Sequence, residues 1–533
     1  MLCCEQKALH AHTFCTAKTH THSEHRGRNM GGVRGILLDS SVLLPSAGDD
    51  VSGDAVLRSG ADFLLRKLLY SKIPTGISHE QDLSSPNECL LQETAKTYTC
   101  PIFYLSLQDD ISSEVSRVWE DNGGCFIHVV SSFREDLYHG SGWLKVIVGS
   151  AEKRPSNDFE YVVATGMSSI SIHKLEELPL LICNLNKKAM GKEALTVGYV
   201  MKPSREEDFA KRGAFPLCPT QNGLIFLPLN YGLPMSSQLK LVDAVLHKAT
   251  DEILAIDMDS PSEFSDRVTF TTNLQELQRN IKLQLDCCVI DPFNNIFPIL
   301  DRLKIQQILI GLETVNIQGR HKIRAPHFLK VDSFDEPNLD QRLAEANLSL
   351  PNIVKPQVAC GVSDAHSMAI VFKVDHYKDL NVPLPAVVQE YVDHSAVLYK
   401  FYALGGKIFY AIKKSIPNAD TLMNLFAEKG LKPLHFDSLK SLPVAKEGLS
   451  ANSCQVDLEL VNGAADWLRR TLDLTIFGFD VVVQEGTGDH VIVDVNYLPS
   501  FKEVPDDVAI PAFWDALKEK IVSGKSKQPT ETS

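Results

Sequence analysis

Two aspartates near the C-terminus border apolar runs. In FGFDVVVQEGTGDHVIVDVNYLPSF, residues 477–501, Asp480 precedes Val481-Val482-Val483 and Asp494 follows Val491-Ile492-Val493. Both runs read as buried strands, and Glu485-Gly486-Thr487-Gly488-Asp489 between them has turn chemistry. A hairpin symmetric about Thr487 sets Asp480 directly opposite Asp494. It also puts Asn496 on the face of Asp494, because side chains alternate with period two. Like charges opposite each other on a sheet are destabilising, and half-buried ones raise each other's pKa. A divalent cation relieves both. Two carboxylates and an amide oxygen are hard oxygen donors, which suits Mg²⁺ held with waters and a nucleotide's phosphates. The residues leave one alternative open, a slipped hairpin with one Asp capping a turn in solvent.

Cations recur upstream. Ile353–Phe372 reads as strand, glycine-containing loop, strand, with Lys355 closing the first strand and His366 near the second. A Lys there can neutralise nucleotide phosphates, and His366 can meet an anionic substrate or a developing charge. Ala386-Val387-Val388-Gln389 is an apolar strand that turns polar at Glu390–His394, as a linker along an adenine edge does. In Ala396–Tyr402, Lys400 shares a strand face with Leu398 and Tyr402, so it needs a counter-anion or must snorkel. Lys202, Lys248, Arg302, Lys304, Lys413 and Lys414 complete a set that suits a polyphosphorylated ligand. Taken singly, each is an ordinary solvated surface charge.

These groups must be positioned by an α/β chain. Residues 34–190 alternate short strands and helices, including a strand Gly35–Asp39, helical spacing over Ala55–Leu69 and a strand Cys125–Val130. A second alternating unit begins near residue 195 with Gly198–Lys202, Gly223–Leu227 and Ala244–Lys248. Asn295–Leu312 is expected to be helical in part, strands dominate from about 325 to 415, and 446–456 reads as a loop. Leu458–Leu472 carries Val461, Ala464, Leu468 and Leu472 on one helix face.

Composition bounds the class. With 44% hydrophobic and 23% charged residues, the 533-residue chain is an ordinary globular sequence of several domains. A net charge of −14 argues against a general nucleic-acid binder while permitting a local basic cluster. No run approaches the ~20 apolar residues of a membrane span. The scattered cysteines, without a repeated C-x-x-C, favour a reducing compartment, read as cytoplasmic with a nuclear or organellar pool left open. Residues 1–30 hold His10, His12, His20, His22 and His25 and lack an apolar core, so they read as a disordered leader rather than a secretory signal. Met30 followed by Gly31-Gly32-Val33 reads as a start of its own. Residues 524–533 read as a disordered tail.

Taken in order, Lys355-Pro356, Gly361, Ser363, His366, Gln389–His394, Lys400, Ser415, Phe477–Asp480 and Asp494–Pro499 resemble the inositol-tetrakisphosphate 1-kinase (inositol 1,3,4-trisphosphate 5/6-kinase) family. The match extends upstream to Gly198-Tyr199, His247–Asp251 and Asp301-Arg302, and covers roughly residues 195–520. The long N-terminal half is similar to that of the plant long-form members.

The resemblance implies an ATP-grasp fold, with 195–300 as the N-terminal α/β domain of the kinase and 301–523 as the ATP-grasp domain. It implies ATP contacts at Arg302, Lys355, Gln389, Val392 and Ser415. Asp480, Asp494 and Asn496 match magnesium ligands, with two ions expected, and Lys202, His366, Lys400 and Asn496 match inositol phosphate contacts. The implied reaction moves the γ-phosphoryl of ATP to a ring hydroxyl of an inositol tris- or tetrakisphosphate, feeding phytate synthesis. Lys400 and His366 would orient the acceptor in a monomer with no nucleic-acid or membrane partner.

Some positions depart from the family pattern. Cys360 replaces Asp or His, Leu498, Ser500 and Phe501 replace Phe, Gly and Tyr, and Lys413 and Lys414 replace Arg. These border the acceptor pocket.

Residues 31–190 resemble a haloacid dehalogenase-like domain. Asp39-Ser40-Ser41-Val42 echoes its D-x-D-x-[TV] loop and Ser131 its second motif. Ser41 stands where the general acid/base Asp belongs, so a structural or regulatory module is expected rather than a phosphatase. Two other readings share parts of this pattern. One is an ATP-grasp carboxylate–amine ligase; the other is a non-enzymatic inositol phosphate sensor or scaffold.

Overall fold

The structure, a computed structural model, describes residues 32–45, 55–80, 82–105, 115, 118–119, 124–134, 143–149, 169–258, 260, 263–284, 287–316, 321–427, 432–440, 443 and 455–525. The expected leader, most of the loop 446–456 and the tail beyond Lys525 lie outside these residues. The chain divides into two compact units. Among the described residues, one comprises Lys248–Gln275 with Ile290–Lys520; the other comprises those up to His247 with Glu276–Val289 and those from Ile521.

The unit that holds the N-terminal half contains a six-stranded parallel sheet. Its order is Ile102–Tyr104, Thr75–His79, Val33–Asp39, Cys125–Ser131, Trp143–Val148, Ser169–Ile172. Ile36, Leu37 and Leu38 are fully buried, as expected for a central parallel strand covered on both faces. The helix expected from Ala55 starts only at Ala61. Gly60 precedes it in the left-handed region (φ 85°), which a growing helix cannot include.

A second sheet in this unit runs Cys288–Ile290, Ala244–His247, Leu195–Val200, Leu224–Pro228. Buried Asn186, on the helix Leu178–Met190, ties strand Val33–Asp39 to the chain after the helix Pro203–Lys211. Its Oδ1 accepts from Val33 N at 2.7 Å and its Nδ2 donates to Leu217 O at 2.9 Å.

The other unit holds two five-stranded sheets. One is antiparallel throughout, in the order Phe328–Val331, Ala386–Glu390, Asn352–Pro356, Ser367–Val371, Leu434–Asp437. The second runs Ile323–Arg324, His490–Tyr497, Ile476–Val483, Val397–Leu404, Lys407–Lys414. Its apolar face stacks Phe401 on Phe479 at 5.2 Å between ring centroids, with Phe477 beside them. That face commits the alternate residues of the same strands to the opposite side.

The helix Leu458–Leu472 has the bounds the sequence gives. Asp457 caps it by accepting from Glu459 N and Leu460 N, and Asp473 ends it in the left-handed region. Asn295–Leu312 forms two helices, Phe293–Leu300 and Arg302–Leu309, with Asp301 capping the second, followed by a 3₁₀ segment Ile310–Val315. The last helix runs Asp506–Lys525, so Gly524 is helical rather than part of the tail. Propagation past the buried Ile521 adds one bond per residue and carries the helix a further turn.

Asp291 anchors the first strand of the acid-bearing hairpin. Its buried carboxylate accepts from Thr475 N and Ile476 N. Burial pushes its carboxyl up to about 6, against the lowering effect of those two backbone bonds. A carboxyl raised in the folded state stabilises most below its unfolded pKa, and that stability is lost as pH rises through about 6. Asp291→Asn is therefore expected to be destabilised most at pH 4, with its deficit against wild type shrinking by about 2–3 kcal/mol towards pH 6.5. Thermal unfolding of both proteins across that range checks this; a constant deficit refutes it.

Candidate active site

The hairpin places Asp480 opposite Asp494, Phe477 opposite Tyr497 and Gly478 opposite Asn496, the register expected for symmetry about Thr487. The symmetry does not extend to the turn. Val481 pairs with Ile492 and Val483 with His490, so Val493 is an extra residue. Such a bulge leaves its residue outside the ladder, and the Val493 carbonyl accepts from Lys355 Nζ at 3.3 Å. Nothing local marks this bulge, since a valine in an apolar run looks like any strand residue.

Asn496 Nδ2 donates to Asp494 Oδ2 at 2.7 Å, which leaves the Asn496 Oδ1 lone pairs on the same face. Lys400 pairs with Asp480 in the strand register, and its Nζ lies 3.6 Å from Asp480 Oδ2. Burial holds the Asp480 carboxyl above its ordinary range; Lys400 opposes that effect and Asp494 adds to it.

Lys355 joins the two sheets of this unit. Besides Val493 O, its Nζ donates to Gln389 Oε1 at 2.8 Å, across adjacent antiparallel strands. Burial lowers the ammonium to about 8, with Asp494 pulling it back up. Arg302 is buried and spends its guanidinium on the chain after Lys355. Nη1 donates to Pro356 O at 2.6 Å and Val358 O at 2.8 Å, and Nη2 to Ala359 O at 3.3 Å. It thus shapes the loop that begins at Gln357.

Val392 is buried against Val482 and Val491, which closes the apolar side of the linker onto the hairpin. Asn418 fixes the linker's far end by accepting from His394 N and Ser395 N, and Asp393 returns the contact by accepting from Ala419 N. Ser415 N donates to Ala396 O at 2.8 Å. His366 Nδ1 shares a 3.1 Å hydrogen bond with Ser438 Oγ, and burial together with the Arg302 charge keeps its imidazole below the usual range.

Within this unit the structure brings Lys355, Gln389, Lys400, Asp480, Asp494 and Asn496 into one connected arrangement. Lys202 belongs to the other unit, where it precedes the helix Pro203–Lys211 and is exposed. Lys248 lies 3.9 Å over the Tyr497 ring and donates to Tyr497 O, so it braces the end of the hairpin.

Sequence reasoning missed Glu503. Its Oε2 accepts from Tyr402 OH at 2.6 Å and its Oε1 from Lys413 Nζ. The signal available was the alternation of the strands, which sets Tyr402 and Lys413 on the face of Lys400.

The donor set fits a divalent cation. Two opposed carboxylates, one of them held above its ordinary range, sit beside a free amide oxygen, and all three donors are oxygen. Among the described residues no three His, Cys, Asp or Glu side chains converge.

In the six-stranded sheet, Asp39 ends the central strand Val33–Asp39 and is 2% exposed. Its Oδ1 accepts from Ser41 N at 3.0 Å and its Oδ2 from Ser78 Oγ at 3.2 Å, and Ser78 Oγ lies 3.2 Å from His128 Nε2. Ser131 N donates to Ser41 Oγ at 3.1 Å.

The family model described as the inositol 1,3,4-trisphosphate 5/6-kinase ATP-grasp domain matches residues 317–515. A second, described as the ITPK4 N-terminal HAD-like domain, matches residues 30–188. Inositol-tetrakisphosphate 1-kinase 6 of Oryza sativa subsp. indica is 48% identical over 517 residues, covering 94% of this chain and 92% of the rice protein. The chain belongs to the inositol-tetrakisphosphate 1-kinase family.

The kinase is also 27% identical to the inositol-tetrakisphosphate 1-kinase of Xenopus laevis, over 58% of this chain and 75% of that one. Among solved structures, D-alanine–D-alanine ligase from Bacillus anthracis is 14% identical, with a TM-score of 0.39 over 63% of this chain and 100% of the ligase. By the two family models, the kinase combines an ATP-grasp domain with an N-terminal haloacid dehalogenase-like domain.

Lys355→Met removes the cation shared by Gln389 and the bulge carbonyl. It is expected to lower kcat/KM for ATP about 10- to 100-fold. Steady-state kinetics with ATP as the varied substrate check this; an unchanged value refutes a phosphate role for Lys355.

Proposed function

We propose that this chain transfers the γ-phosphoryl of ATP to a ring hydroxyl of an inositol tris- or tetrakisphosphate. The observation that carries this reading is a single sheet face bearing Asp480, Asp494, Asn496 and Lys400, with Lys355 joining it to the linker strand. Phosphoryl transfer asks the protein for positioning and charge neutralisation more than for covalent chemistry.

Asp480, Asp494 and Asn496 would hold Mg²⁺, which when bound offsets charge on the β- and γ-phosphates. Lys355 faces the same phosphates from the neighbouring sheet. Val392 offers an apolar surface to the adenine, and Gln389 keeps Lys355 aimed. Lys400 and His366 orient the acceptor; His366, held below its usual range, accepts a proton more readily once a phosphate monoanion lies beside it. The acceptor oxygen forms the new P–O bond as the bond to the bridging oxygen of ADP breaks, and the hydroxyl proton leaves to a base or solvent.

Several finer points belong to the same reading. A second Mg²⁺, supply of the product to phytate synthesis, a monomeric state and a cytoplasmic location are part of the same proposal, supported by the family pattern and, for the location, by the scattered cysteines. Among the described residues no helix is long and apolar enough to cross a membrane. Residues 195–300 and 301–523 serve as the two parts of the kinase, and Lys202 is an acceptor contact by the family pattern. Residues 31–190 act as a non-hydrolytic module: Asp39 is buried with both oxygens engaged, and Ser41 replaces the acid/base.

Purified protein with Mg·ATP is expected to phosphorylate members of a panel of inositol tris- and tetrakisphosphates, read by phosphorus NMR. Asp494→Ala should reduce transfer at least ~1000-fold. ATP binding without turnover of any inositol phosphate sinks the assignment, and ADP formation that requires both a carboxylate and an amine identifies a ligase instead. Asp39→Asn should leave hydrolysis of p-nitrophenyl phosphate at the level of a no-enzyme control, equal to wild type; measurable wild-type hydrolysis lost in the variant refutes the non-hydrolytic module.

A further inference from the structure

Lys413 lies on the strand Lys407–Lys414, paired with Leu398, while Ala411 pairs with Lys400 and Phe409 with Tyr402. Lys413 therefore shares a face with Lys400 and Tyr402 and sits diagonal to Lys400, roughly 7–8 Å away. In the same sheet Lys400 faces Asp480. Two lysines and the acid pair thus share one surface, and each lysine already has a carboxylate: Asp480 for Lys400 and Glu503 for Lys413.

Glu503 is not a casual surface partner. Its side chain is only 20% exposed and makes two hydrogen bonds to two different strands. The segment that carries it is fixed on its N-terminal side. Leu498 and Phe501 adopt left-handed backbone (φ 41° and 38°), and buried Phe501 packs against Phe513 at 5.6 Å. An exposed, flexible pair contributes little and is lost to solvent, whereas this carboxylate is held where a phosphate on the Lys400 side would seek Lys413.

We propose that Glu503 is a specificity-determining residue for the acceptor: it occupies Lys413 in the free enzyme and withholds one cation from the acceptor's phosphates. An acceptor phosphate must displace the carboxylate or bind beside it, so each added phosphate on that side of the ring is penalised. The kinase thereby discriminates among acceptors by charge. This inference rests on the kinase reading above.

The test compares one trisphosphate and one tetrakisphosphate acceptor under saturating Mg·ATP. Glu503→Gln keeps an acceptor for Tyr402 and removes the charge. Its ratio of kcat/KM for tetrakisphosphate over trisphosphate should rise roughly 3- to 10-fold, through acceptor KM, with KM for ATP within about twofold. Lys413→Met keeps the carboxylate and removes the cation, so its ratio should move the opposite way. In the Lys413→Met background the Glu503→Gln effect on KM should shrink, as a double-mutant cycle reads.

A Glu503→Gln protein with lowered melting temperature but an unchanged ratio assigns the pair a structural role and overturns the proposal. So does an equal shift in both backgrounds. Wild type that turns over neither acceptor removes the kinase reading and this inference with it; intact wild-type turnover with an unmoved ratio removes the inference alone.

Discussion

The whole arrangement answers to one electrostatic constraint, two carboxylates held opposite each other on a sheet whose other face is aromatic. Phe401, Phe477 and Phe479 drive that face into the core, and alternation then leaves Asp480 and Asp494 no other place to point. Water alone does not satisfy such a pair when one member is desolvated. Lys400 supplies part of the compensation from the next strand, and Lys355 approaches from the second sheet. The neighbouring elements serve mainly to hold these positive charges at fixed distances.

Much of this was legible in the sequence because it is written in local rules. Alternation and turn chemistry gave the hairpin, the register at Asp480 and the shared face of Asp494 and Asn496. A 3.6-residue stripe gave the helix Leu458–Leu472 to the residue. The ordered set of motifs gave the ATP-grasp domain, and the family matches agree with it.

What was not legible depends on partners distant in the chain. The bulge at Val493 exists through contacts that no local pattern encodes, among them Lys355, 138 residues away. Arg302 reads as a free cation until the fold shows it wrapped by the carbonyls of Pro356, Val358 and Ala359. Glu503 is one acid among many until its segment folds back to Tyr402 and Lys413. The false start at Ala55 has a different cause: leucine spacing outweighed Gly60, whose left-handed backbone delays the start of the helix to Ala61.

The extra residue at Val493 also bears on how this hairpin tolerates change. It lies between the acids and the turn, so the acid-bearing half of the ladder and the turn-side half are out of step by one position. A turn shortened or lengthened by a residue can be absorbed by erasing or moving that offset, while the carboxylates stay where the aromatic face puts them. The part sacrificed is the lysine's grip on the strand. Evolutionary drift in the tip of the hairpin would therefore be felt first at the contact between Lys355 and the Val493 carbonyl, and only later at the opposed carboxylates.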